Sequence, residues 1–223
     1  MLDASRIRWV FFDVGDTLLD EREAMFDWCG QVAALLAGRG MRVGAADVWL
    51  AREQAYGEFA PDVLARIMQI LAVPPNDQAL WKQATYRHAL ERPFAGVTPL
   101  LTQLAHQSHL GVLANQDRGT RERLRAHGWG NLFSVIIAST EEGLKKPDLA
   151  IFKLALSRAG CRPDQAVMVG DRIDNDIRPA KSVGMQTVRV RQGLSKKQEP
   201  RGPREIADVT VRRIADVADV LIP

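Results

Sequence analysis

The chain has 223 residues, 46% of them hydrophobic and 26% charged, with 30 Lys and Arg against 27 Asp and Glu. That length fits one large domain or a core with a smaller inserted one, and the composition excludes a disordered or fibrous chain. Polar residues interrupt every apolar run before the roughly 18–20 residues of a membrane span, and no small-residue cleavage site follows the short apolar stretch at the N-terminus. Cys29 and Cys161 are too few for a disulfide framework and match no metal spacing, so two buried thiols in a reducing compartment are expected. The expectation is a soluble cytoplasmic protein that needs no membrane.

Trp9-Val10-Phe11-Phe12 is a short apolar run ending in Asp13, as a strand buried on both faces would read. From about Glu21 to Glu91 no strand pattern follows, only helical patterns broken by Gly38-Arg39-Gly40, Pro61 and Pro74-Pro75. Trp28, Trp49, Tyr56, Phe59, Trp81 and Tyr86 are expected to fill a small core of its own. Pro93 and Gly96 mark the return point. Val97, Leu100, Leu101 and Leu104 then share a helical face, as do Ile151, Leu154, Ala155 and Ala159. Between and after them, Leu110–Ala114, Val135–Ala138, Ala166–Val169 and Thr187–Val190 read as further buried strands. Strands alternating with helices imply a parallel sheet with crossover helices. The predicted fold is α/β: a core of residues 1–20 and 93–223 with an inserted helical domain over 21–92.

Acids crowd the early chain and bases the late chain, the latter including Lys181, Arg189, Arg191, Lys196, Lys197, Arg201 and Arg204. No aromatic residues interleave with these bases, so Ser195–Arg204 reads as a solvated polar loop and no nucleic-acid partner is expected. A basic rim would also attract an anionic substrate.

In an open parallel sheet, ligands bind beyond the carboxyl ends of the strands. Asp13 and Asn115 stand at such ends, Asp171 follows Val167-Met168-Val169-Gly170, and Lys146 lies in the loop after the third predicted strand of the sheet. Taken singly, Asp13 could be a helix cap, Lys145-Lys146 a solvated pair and Gly170-Asp171 a turn. Together, two carboxylates and a lysine suit Mg2+ and a phosphate: the cation takes carboxylate and substrate oxygens, and a carboxylate can attack phosphorus to form an aspartyl-phosphate. Lysine would serve as a point charge on the phosphate.

Phe11-Phe12-Asp13-Val14-Gly15-Asp16-Thr17-Leu18, Leu113-Ala114-Asn115-Gln116, Lys146-Pro147-Asp148 and Gly170-Asp171-Arg172-Ile173-Asp174-Asn175-Asp176 occur in this order. The sequence thereby resembles the haloacid dehalogenase-like (HAD) hydrolase superfamily, in the branch with a helical cap inserted after the first motif. The resemblance implies a three-layer Rossmann-like core around a central parallel sheet, with the cap placed over the carboxyl end of the sheet. It implies that Asp13 is the nucleophile and a Mg2+ ligand, that the Gly15 carbonyl and Asp171 are further ligands, and that Asp176 completes the metal site by holding a metal-bound water or by standing just behind the direct ligands. Lys146 would orient Asp13 and the phosphoryl group, and Thr17, Ala114 and Asn115 would lie at the phosphate.

Two positions depart from the family pattern. Gly15 stands where phosphatases of the family carry an acid–base Asp, with Asp16 one residue further on, and Ala114 stands where a Ser or Thr usually meets the phosphate. General acid–base assistance is worth about 10²–10⁴-fold, so a slow or selective enzyme is expected, better with good leaving groups. The first reading is a Mg2+-dependent phosphatase of a small phosphorylated metabolite. The alternative is a weak or inactive member serving as a phosphate-ligand binding or interaction module. A 2-haloacid dehalogenase ranks lower, because that chemistry needs no metal and Asp171 with Asp176 reads as a metal site. Arg22, Arg52, Arg66 and Arg92 are candidate substrate contacts in the cap.

Overall fold

In a computed structural model that describes residues 2–222, the apolar run at the start forms strand β1 (Trp9–Phe12) and the turn after it leads to a two-residue strand β2 (Leu19–Asp20). Helices α1 (Arg22–Ala37), α2 (Ala45–Gly57) and α3 (Val63–Ile70) follow, and β3 (Arg92–Pro93) pairs with β2. Then come α4 (Val97–Ala105), β4 (His109–Ala114), α5 (Thr120–Ala126), β5 (Phe133–Ala138), α6 (Ser139–Glu142) and α7 (Leu149–Ala159). The chain ends with β6 (Ala166–Gly170), a π-helical turn over Ile173–Ile177, α8 (Arg178–Ser182), β7 (Gln186–Val190), β8 (Val209–Val211) and α9 (Ala218–Leu221). Asp20–Arg92 forms one compact unit; the chain before it and from Pro93 onward forms the other.

The core unit holds a six-stranded parallel sheet of order β5-β4-β1-β6-β7-β8. β1 is central: Trp9 to Phe12 pair with His109 to Val112 on one side and with Ala166 to Val169 on the other. Because side chains alternate along a strand, Val10 and Phe12 face a cluster with Leu101, Leu104, Val112, Trp129 and Val169, drawn in part from α4. Trp9 and Phe11 face the opposite cluster with Leu113, Ile137, Ile151, Phe152 and Ala180, drawn in part from α7 and α8. Apolar burial on both faces is why the central strands read as continuous hydrophobic runs. Asp148 caps α7 by accepting the Ala150 N–H at 2.8 Å, and Gly160 ends it in the left-handed conformation. The close pairing of β1 and β4 requires Gly111, since a Cβ there would lie 2.5 Å from the Phe11 ring.

Three features differ from the sequence reading. β8 is a sixth strand whose Val-Thr-Val run is too short to register as a period. The helical unit packs its three helices on Met25, Trp28, Val32, Leu36, Val48, Ala51, Ile67 and Met68. Of the aromatics expected in that core only Trp28 is buried, and Trp49, Tyr56, Phe59, Trp81 and Tyr86 stay partly exposed. Cys29 is buried as expected, but Cys161 is only half-buried. No helix among the described residues is long and apolar enough to cross a membrane.

Candidate active site

Asp13 follows β1 directly, and its N–H donates to the Val169 carbonyl at 3.0 Å, continuing the β1–β6 pairing one residue beyond the strand. The chain then turns sharply, with the N–H groups of Leu18 and Leu19 both donating to Val14 O at 2.8 and 2.9 Å. The left-handed residue of this turn is Asp16, at φ 53°, a conformation that Asp tolerates better than most residues. Gly15 lies inside the turn. Asp171 follows β6, and the π-helical turn brings Asp176 back beside it. Gly170 permits that return, because a Cβ there would lie 2.5 Å from the Asp176 carboxyl carbon.

These elements gather one oxygen each from Asp13, Asp171 and Asp176 within 4.8 Å of one another, all three residues being buried. Lys146, also buried, spans two of them: its Nζ donates to Asp13 Oδ1 at 2.7 Å and to Asp176 Oδ1 at 2.5 Å. Asp176 Oδ2 accepts the Arg172 N–H at 3.0 Å. Asp171 is held by hydroxyls, with Thr17 Oγ1 at 3.4 Å from Oδ1 and Ser195 Oγ donating to Oδ2.

The electrostatics follow from burial and crowding. Burial, and then the charges of Asp176, Asp13 and Asp16, push the Asp171 carboxyl well above the usual carboxylate range, partly opposed by the Ser195 hydroxyl. Asp176 is raised to about 6, burial outweighing the attraction of Lys146. For Lys146, burial would lower the ammonium, but Asp13 and Asp176 outweigh it and hold the amine protonated. Lys146 thus bridges two of three clustered carboxylates, and the crowding of like charge falls most heavily on Asp171. A hard divalent cation fits this donor set, which is all oxygen and closely spaced, and would relieve the mutual repulsion of the carboxylates.

The other sequence candidates fall as follows. Asn115 clamps the Lys146 backbone at two points, donating from Nδ2 to the carbonyl at 2.8 Å and accepting the N–H at Oδ1 at 2.7 Å. Its amide positions the loop that carries the lysine. Ala114 ends β4 fully buried and brings no hydroxyl to the site. Asp16 is buried and turned toward the segment after β7, where Oδ2 accepts the Leu194 N–H at 2.9 Å. Of the candidate arginines in the helical unit, Arg66 is paired with Glu58 at 2.7 Å, while Arg52 lies over Trp28 and Tyr56 at 5.6 and 5.3 Å from the ring centroids. Arg22 and Arg92 border a cavity of about 520 Å³ within the helical unit, walled by Phe26, Trp49 and Leu90.

Sequence reasoning missed Ser195, Arg189 and Gln198, all buried. Arg189 Nε donates to the Asp171 carbonyl at 3.3 Å, and Gln198 accepts the Ile173 N–H at 2.8 Å and donates to Asp174 Oδ1 at 3.0 Å. Asp174 also takes a two-point contact from Arg172, at 3.1 and 2.5 Å. Burial would raise the Asp174 carboxyl, but Arg172 and Gln198 hold it below the ordinary range. The available signal was position: residues 192–195 follow the carboxyl end of β7, where a parallel sheet assembles its site.

A family model for haloacid dehalogenase-like hydrolases matches residues 7–184. A glyceraldehyde 3-phosphate phosphatase of Methanopyrus kandleri is 29% identical over 226 residues, covering 96% of this chain and 97% of the relative. Among solved structures, a magnesium-bound HAD hydrolase of Bacillus subtilis aligns over 98% of this chain and 100% of its own, with a TM-score of 0.73 and 23% identity. A 2-haloacid dehalogenase of Pseudomonas syringae aligns over 96% and 98%, with a TM-score of 0.63 and 25% identity.

Proposed function

Because the chain belongs to the haloacid dehalogenase-like hydrolases, we propose that it is a Mg2+-dependent phosphatase of small phosphorylated metabolites, working through an aspartyl-phosphate at Asp13. The observation that carries this reading is the meeting of Asp13, Asp171 and Asp176 around Lys146 at the carboxyl ends of the central strands. Asp13, Asp171 and the Gly15 carbonyl would hold Mg2+, with Asp176 beside them. When bound, the cation supplies charge neutralisation of the phosphoryl oxygens. The relative from Methanopyrus kandleri, named a glyceraldehyde 3-phosphate phosphatase, supports the reaction class.

The chain's own groups would act in sequence. Lys146 holds one oxygen of Asp13 and leaves the other to attack phosphorus. As the new O–P bond forms, the bond to the leaving oxygen breaks and the leaving group departs with that electron pair. Water then hydrolyses the acyl phosphate, restoring the Asp13 carboxylate and releasing inorganic phosphate. Lys146 stays within reach of the phosphoryl group as its charge develops. With Gly15 at the usual acid–base position and Asp16 engaged with Leu194, the proton needed by a poor leaving group lacks a dedicated donor, so turnover favours leaving groups stable as anions. Residues 21–92 act as a cap that selects substrate, with Arg22 and Arg92 offering cationic contacts and Phe26 and Trp49 an apolar surface. Displacement of halide would leave Asp171 and Asp176 without a task.

The test is release of inorganic phosphate from a panel of phosphate esters with Mg2+, beginning with glyceraldehyde 3-phosphate and an aryl phosphate. Release that depends on Mg2+ and vanishes in Asp13→Asn is expected. Phosphate release at the Asp13→Asn level across the whole panel would overturn the reading in favour of a binding module.

A further inference from the structure

The segment that leaves β7 is built into the site at more points than a surface loop requires. Gln192 Nε2 donates to the carbonyls of Asp16 and Thr17 at 3.2 and 2.9 Å, while its Oε1 accepts the Ile214 N–H at 3.1 Å. Leu194 donates its N–H to Asp16 Oδ2 at 2.9 Å. Ser195 Oγ donates to Asp171 Oδ2, and Gln198 reaches Ile173 and Asp174. Arg189 closes the circuit, with Nη2 on the Ser195 carbonyl at 3.1 Å and Nε on the Asp171 carbonyl. One strap of seven residues, 192–198, therefore ties the turn after Asp13 to the turn after Asp171.

Two details show how closely it is fitted. Gly193 sits at φ 66°, and a Cβ there would lie 2.3 Å from the Asp16 carboxyl carbon. Asp16 itself adopts the left-handed conformation, and the carboxylate that such a residue carries is the group that anchors Leu194. The displaced aspartate of the first motif is thus an anchor, which accounts for a carboxylate one position beyond the usual acid–base site. Ser195 and Gln198 have no solvent exposure, and buried polar groups of this kind persist when fully hydrogen-bonded.

We infer that residues 192–198 form a positioning strap, with Ser195 fixing one oxygen of Asp171 so that the carboxylate is presented to its divalent cation and Asp16 anchoring the strap. The inference rests on the reading of Asp13, Asp171 and Asp176 as a metal site. Ser195 and Asp16 act through Asp171 and are positioning residues. Partners that orient a metal ligand are typically worth 10–100-fold in metal affinity.

The experiment is calorimetric titration of Mg2+, without substrate, into the parent, Ser195→Ala and Asp171→Asn, with far-UV circular dichroism confirming the fold of each. The parent should bind Mg2+, Asp171→Asn should not, and Ser195→Ala should bind 10–100-fold more weakly. In turnover, its Mg2+ activation constant should rise by the same factor, while kcat at saturating Mg2+ falls much less. If Ser195→Ala fails to fold, Asp16→Ala carries the same test with the same expected loss. Binding by the parent with less than tenfold weakening in the folded variant overturns the strap and leaves the metal site standing. No binding by the parent overturns the metal site and the strap with it.

Discussion

Replacing Gly170 by Ala probes how rigidly Asp176 is held. The added methyl would lie 2.5 Å from both Cγ and Oδ2 of Asp176 and 2.6 Å from its Cβ, well inside contact distance. Asp176 cannot yield without loss, because Oδ1 is on Lys146 Nζ at 2.5 Å and Oδ2 takes the Arg172 N–H at 3.0 Å. Overpacking of this kind costs about 1–3 kcal/mol, and surrendering a buried hydrogen bond to a charged group about 1.5–3 kcal/mol. If both apply, the core loses about 2.5–6 kcal/mol, a fall in Tm of about 5–24 °C for a unit of this size. Thermal unfolding in Mg2+-free buffer measures the shift. Displacing Asp176 also frees Lys146 from its fixed position, so phosphatase turnover should fall by about tenfold or more, each tenfold being about 1.4 kcal/mol of barrier. A variant melting within 2 °C of the parent, with turnover intact, would refute this account of Asp176.

Gly30, in α1, has no atom within 4 Å of a built Cβ, so Gly30→Ala should stabilise the helical unit by about 0.5–1 kcal/mol; a lowered urea midpoint would contradict it. Asp208 accepts from Lys181 Nζ at 3.0 Å and from the Thr187 N–H and hydroxyl at 2.9 and 2.8 Å. Burial would raise its carboxyl, but these donors hold it below the ordinary range. A depressed carboxyl lends stability above the unfolded-state pKa of about 3.9 and loses it as pH falls through the folded value. Asp208→Asn should therefore lower the urea midpoint at pH 7, and the gap to the parent should narrow at pH 3; a gap constant with pH would count against this. Gly15→Asp should raise turnover of alkyl phosphates by about 10²-fold and of aryl phosphates much less. No gain on alkyl phosphates in a folded variant, together with loss of activity in Asp16→Asn that persists at saturating Mg2+, would make Asp16 the acid after all.

The strands of the core were legible because burial on both faces writes itself as an unbroken apolar run, as in Trp9–Phe12 and Ala166–Gly170. β8 left no such mark, since three residues at the sheet edge carry too little pattern. In the helical unit, bulky aromatics suggested a core that Met25, Val32, Leu36, Val48, Ile67 and Met68 fill instead, with Ala24, Ala51 and Ala55 buried among them and Trp28 the one expected ring that is buried. At the site, Asp13, Lys146 and Asp171 could be brought together on paper because each follows a strand whose carboxyl end is shared. Ser195 could not, since its partner Asp171 is distant in sequence and its neighbours Lys196 and Lys197 advertise a solvated surface. Asn115 was legible as a strand-end residue, but its grip on the Lys146 backbone depends on the path of a loop that no local pattern encodes.

The place of β1 in the sheet has a consequence for how the chain comes into being. The strand that leads into Asp13 is made before every other strand of the sheet, and its neighbours on both sides, His109–Val112 and Ala166–Val169, are translated long afterwards. In the interval only the helical segment can complete its contacts, because α1, α2 and α3 are local to one another. Contacts of high sequence separation form slowly and leave apolar strands exposed meanwhile. Trp9, Val10, Phe11 and Phe12 are therefore the segment of this chain most in need of shelter during synthesis. Slowing translation between residues 93 and 166 should raise the aggregated fraction, whereas the same pause beyond β7, with β1 already flanked by β4 and β6, should not.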